Sequence, residues 1–138
     1  MSEQTPERPI RNLLRDGLSS RDLHLDEVGR AEFEELKSSL LQELQPRGAL
    51  QMVEFNNLLY AAVGLRRTSR MEAEYMSRGP AALEGEETQK ALDLLARYQV
   101  RYERSYYRAR KELEALQAAA AREAKARSSS RSRPQLVQ

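Results

Sequence analysis

The chain has 138 residues, 40% hydrophobic and 32% charged, with 6% aromatics, no Trp and no Cys. That length gives room for one domain or an elongated helical hairpin, and the low aromatic content suits a solvated helical bundle better than a thick layered core. Without cysteine there is no disulfide, no thiolate zinc site and no cysteine nucleophile.

The net charge of +2 hides an asymmetry. From Arg97 onward eleven Lys and Arg face four Glu, a balance of +7, while residues 1–96 hold 12 basic and 17 acidic groups, a balance of −5. Such a split suits a surface that meets an acidic partner, and it would also hold an antiparallel homodimer together, acidic ends on basic ends. The N-terminal residues lack the apolar core of a secretory signal, and no run of ~18 apolar residues is present to span a membrane. A cytoplasmic protein without membrane contact is expected.

In chain order, residues 1–9, with Pro6 and Pro9, read as a disordered N-terminus. Residues 10–29 read as a capped turn and connector, with Gly17 closing the turn in a left-handed cap and Leu18 packing back. A helical domain follows over 30–126. Its first helix, about 30–45, places Phe33, Leu36, Leu40, Leu41 and Leu44 on one face, and Pro46 and Gly48 end it and turn the chain. The second, about 49–76, carries a stripe of Met52, Phe55, Leu59, Ala62 and Val63, with Leu58 and Leu65 flanking. Gly64 lies inside this helix at a cost of ~1 kcal/mol relative to Ala, and its expected use is close helix–helix approach. Asn56 and Asn57 border the apolar face as candidate buried amides that fix register.

Ser77 to Gly85 reads as a linker. The third helix, about 86–126, starts with Glu86 and Glu87 at its positive end. Its core seam is Leu92, Leu95, Tyr102, Tyr106, Ala109, Leu113 and Leu116, continuing to Ala120 and interrupted only by Gln99. At 1.5 Å per residue it would span roughly 60 Å, whereas the second helix covers only about 42 Å. The Ala-rich stretch from about Glu114 to Arg127 is therefore expected to overhang. Residues 127–138, rich in Ser and Arg, read as a disordered basic tail. The fold class expected is all-α: a short helix, then a long antiparallel helical hairpin of coiled-coil character, with disordered termini.

The strongest charge pattern lies on the third helix. Arg97, Arg101, Arg104, Arg108 and Lys111 recur at steps of four and three, opposite the seam, and Arg122 and Lys125 continue the row. These seven are the candidate phosphate-contacting residues, and Tyr107, off the seam, is a candidate stacking residue. A solvated face on an amphipathic helix explains the same row, and an acidic protein partner is a third reading. Tyr98, Tyr102 and Tyr106 read as core tyrosines whose hydroxyls reach the rim. Arg66, Arg67 and Arg70 are expected to pair across the hairpin with Glu84, Glu86, Glu87 and Asp93.

Nothing in the pattern points to catalysis. His24 stands alone, the carboxylates are scattered, and there is no HExxH, Gly-rich phosphate loop or nucleophile elbow. No catalytic residue, cofactor, metal ligand or small-molecule substrate is expected.

Three stretches resemble a group of uncharacterised bacterial helical proteins. Arg11-Asn12-Leu13-Leu14-Arg15-Asp16-Gly17-Leu18-Ser19 resembles its "RNALxHGL[TS]" segment, and Leu65-Arg66-Arg67 through Glu72 its "LRRxxRxE" helix. Arg97 through Leu113 resembles its "RYExRxER[SA]FYRAxxEL" signature. The resemblance covers roughly residues 10–117 and implies kinship, because the group has no established activity. A similar "NALxHG" segment begins some phage small-terminase-like and mobile-element proteins that bind DNA. Here Leu13 replaces its Ala and Asp16 its His, which removes a cation from that turn. The residues and the resemblance together point to a non-catalytic helical binding protein. Nucleic acid on the basic face and a homo-oligomer are the candidate partners. The alternative is a structural or assembly coiled coil whose basic row is only its wet face.

Overall fold

The computed structural model describes residues 27–131. The predicted capped turn, His24 and residues 132–138 lie outside the described residues. Four helices account for the regular structure among the described residues: α1 (Glu27–Leu44), α2 (Gly48–Met76), the single turn α3 (Pro80–Leu83) and α4 (Glu86–Arg131). α2 and α4 pack side by side as a long antiparallel hairpin, and α1 folds back along α2. The architecture is the all-α hairpin that the periodicity predicts.

Boundaries depart from expectation at three places. α1 begins at Glu27, before the predicted start at residue 30. The linker 77–85 contains the extra turn α3, with Pro80 at its start, where a missing N–H costs nothing. The largest departure is at the end of α4. This helix has 46 residues and runs to Arg131, through Ser128, Ser129 and Ser130, so the predicted disordered tail 127–138 begins as helix. No Gly or Pro stops it there, and helix propagation adds a hydrogen bond for every residue fixed.

α2 is the central element because two of its sides are covered. Phe55, Leu59 and Val63 are buried and pack with Phe33, Leu36, Leu40, Leu41 and Leu44 of α1. A second row, Leu58, Ala61, Thr68 and Tyr75, is also buried, and at its end Tyr75 packs on Ala91 and Leu95 of α4. Leu58, expected to flank the stripe, is 0% exposed. Thr68, buried mid-helix, satisfies its hydroxyl on the Leu65 carbonyl at 3.0 Å.

Of the predicted seam on α4, Leu95, Ala109 and Leu113 are buried, and Leu92, Tyr102, Tyr106 and Leu116 are half-buried. Ala120 is exposed, while Ala91, absent from the predicted seam, is 2% exposed. At Gly64 the Tyr102 ring of α4 packs directly on the backbone of α2. A Cβ built there would lie 2.5 Å from Cε1 of Tyr102, so the ring occupies the volume that any other residue would fill.

Glutamines, not the Asn pair, supply the buried and half-buried side-chain contacts at helix ends and across the hairpin. Asn56 and Asn57 are exposed. Gln99, the interruption in the seam, donates from Nε2 to Oε2 of Glu72 at 2.8 Å across the hairpin. Gln51 is buried and accepts the N–H of Arg47 at 2.8 Å, satisfying a donor at the start of α2. Gln117 donates to the Leu44 carbonyl at 2.6 Å, so α4 caps the end of α1.

That last contact shortens the overhang. The turn between α1 and α2 covers α4 as far as Gln117, and Ala119 is half-buried. Matching α4 against α2 alone omits this turn, which is why the free stretch was expected from Glu114. From Ala120 to Arg131 every residue is exposed.

Candidate nucleic-acid interface

The packing of α4 decides which of its sides meets solvent. With Leu95, Tyr102, Ala109 and Leu113 turned toward α2 and α1, residues at the complementary heptad positions must point outward. Arg97, Arg101, Arg104, Arg108 and Lys111 are all exposed. They stand on one continuous helix across about 21 Å, roughly one cation per 5 Å. Arg122 and Lys125 are exposed as well, on the free end of α4, where no side is covered.

Aromatic and apolar side chains interleave with the row. Tyr107 is 67% exposed and Val100 46% exposed, both on the outer side of α4. The ring of Tyr107 meets that of Tyr106 edge-on, centroids 5.8 Å apart, which steadies an otherwise free platform between Arg104, Arg108 and Lys111. The Arg101 guanidinium lies 5.3 Å from the Tyr98 ring centroid. This cation–π contact, invisible as a role in the sequence although the i, i+3 spacing permits it, aims one cation along the helix flank.

Two ion pairs among the described residues of α4 join Lys90 to Glu86 at 3.3 Å and Arg110 to Glu114 at 3.2 Å. Both are local i, i+4 pairs, and neither draws on the row. The Glu114 hydrogen bond holds the proton on Arg110 more firmly than usual. Arg110, not part of the predicted row, is thereby turned toward its own helix.

The cluster Arg66, Arg67 and Arg70 is placed differently from expectation. Arg70 pairs with Glu32 of α1, and Arg66 and Arg70 border an open depression with Glu32 and Glu35. The hairpin register explains the correction. Gly64 meets Tyr102 and Glu72 meets Gln99, so these arginines sit well short of the level of Glu84, Glu86 and Glu87. α1 supplies the acid for Arg70 instead, from a segment more than thirty residues earlier.

Chemically, the row can neutralise phosphates and hold them by charge-assisted hydrogen bonds. Contacts of this kind position a nucleic acid without reading its bases. No group of three or more His, Cys, Asp or Glu among the described residues could hold a metal ion, and no helix among them is long and apolar enough to cross a membrane. Comparison of the chain with protein-family models, with curated proteins and with solved structures gives no match.

Proposed function

We propose that this chain is a non-catalytic, cytoplasmic helical protein that binds nucleic acid by its phosphates through the outer face of α4. The observation that carries this reading is the exposure of Arg97, Arg101, Arg104, Arg108 and Lys111 on one side of an unbroken helix, with Tyr107 exposed among them. A helix of this diameter fits the major groove of a duplex, which is ~12 Å wide, and an exposed ring beside cations suits a single strand.

The test is binding of the purified protein to a labelled mixed-sequence duplex and to a single strand across a salt series. If all five cations contact phosphates, log K should fall against log salt with a slope near −4.5 for the duplex and about −3.5 for the single strand. Changing the five residues to Gln should remove most of that slope. Absence of binding at low salt, or a slope that the five changes leave intact, would reject the reading. The second reading, a structural or assembly protein, is favoured by a different feature, the exposed end of α4.

A further inference from the structure

From Ala120 to Arg131, α4 is helix with every residue exposed. A stretch of about 12 residues is marginal in water by itself and gains its stability from packing. It carries Arg122, Lys125, Arg127 and Arg131 against Glu123, a balance of +3. The other end of the rod is acidic. Over residues 72–93, Glu72, Glu74, Glu84, Glu86, Glu87 and Asp93 stand against Arg78 and Lys90, a balance of −4.

We propose that the chain forms an antiparallel homodimer in which the exposed end of each α4 lies along the acidic hairpin tip of the other copy. The rod's own dimensions place the two-fold axis. The free end centres near residue 125 and the first two turns of α4 near residue 89, so superposing them puts the axis at the level of about residue 107. Because Gly64 meets Tyr102 across the hairpin, that level on α2 falls beside Tyr60. Tyr60 is 41% exposed and continues a row with Val53 and Leu50, 54% and 70% exposed. These three stand at steps of seven and three on one side of α2, turned away from the Phe55, Leu59 and Val63 face that holds α1.

An axis beside Tyr60 therefore sets the exposed Tyr60 rings of the two copies at the two-fold, leaves Val53 and Leu50 opposite the level of residues 67–70 of the other copy, and sets +3 on −4 twice. Direct pairing of the two free ends would set +3 on +3. Two rods touching for ~60 Å along a strip ~10 Å wide bury roughly 600 Å² per copy, near the low end for a specific interface. Weak, micromolar association that salt loosens is the expected behaviour. The basic row on the outer side of α4 stays uncovered, so the dimer needs no nucleic acid.

The test uses the full chain freed of nucleic acid. In low salt, light scattering should show the mass rising from 15.8 kDa toward twice that value across the micromolar range. The combined changes Arg122→Glu, Lys125→Glu and Arg127→Glu should raise the dissociation constant at least ~tenfold while leaving the helical circular dichroism in place. Orientation is read by cross-linking, which the absence of native cysteine makes unambiguous. Ala126→Cys and Ala82→Cys, both at exposed positions, should be joined by a short bismaleimide only when the two variants are mixed. A monomer at every concentration, a link within Ala126→Cys alone, or a dimer whose affinity ignores the charge reversal would each overturn the proposal.

Discussion

At the scale of single residues, Gly64 sets the spacing of the hairpin. Three ring atoms of Tyr102 lie within 2.6 Å of where its Cβ would be, so Gly64→Ala forces the ring to move. Overpacking of this kind costs about 1–3 kcal/mol, and the gain in helix propensity returns only ~1 kcal/mol. A net loss of up to about 2 kcal/mol in urea unfolding is expected. In a Tyr102→Ala background the same change should be neutral or slightly stabilising, and an undiminished penalty there would show that Tyr102 is not its cause. Two tyrosines give the fold an alkaline limit. Burial pushes the hydroxyls of Tyr75 and Tyr102 above their ordinary value of 10.0, with Arg78 opposing at Tyr75 and Arg67 and Arg101 at Tyr102. Their contribution is fully present below pH 10.0 and is lost as pH rises through the raised folded-state values. Tyr102→Phe should therefore flatten the fall of melting temperature above that pH. Gly64 was legible in the sequence because a glycine inside a helix calls for a reason. The exposure of Asn56 and Asn57 was not, since periodicity gives a residue's angle on its helix but not how far the neighbours reach around it.

At the scale of elements, what fixes the register is polar contact between helices at their ends and at a break in the seam. Gln117 is the clearest case, since it satisfies a carbonyl of α1 that the helix itself leaves without a donor. Gln117→Ala should cost about 0.5–1.5 kcal/mol and should lower amide-exchange protection in the last turn of α1 more than in the middle of α2. Uniform loss would mean that the contact does not anchor α1. The end of α1 is further shaped by Gln45, which takes a left-handed conformation at φ 45° while its N–H still reaches the Leu41 carbonyl at 2.9 Å. The pattern of apolar residues foretells α1, α2 and α4 and their antiparallel order, because each stripe persists for several turns. It cannot foretell that α1 supplies the acids for Arg70, because a wheel drawn for one helix holds no information about a third. Nor does it show that α4 runs on through the Ser and Arg residues of 127–131.

At the scale of the whole molecule, the fold is a rod with a covered part and a free part. Deleting residues 120–138 removes no described residue that is buried, so the shortened chain, studied dilute, should unfold cooperatively with a stability change under about 0.5 kcal/mol. A larger loss would show that the free end, or the residues after it, packs on the protomer. The row Arg97 to Lys111 would remain intact in that variant, which separates phosphate contact from self-association. One consequence follows from the unbroken course of α4. With no glycine or proline to uncouple its parts, the packed seam, the basic row and the free end share a single phase, at ~100° per residue. Inserting one residue after Lys111 would swing Leu113, Gln117 and everything beyond by that angle, whereas inserting seven would return them almost to their starting orientation. Variation in the length of this helix should therefore be tolerated in steps of a heptad, with the protein behaving as a screw whose threads must re-engage.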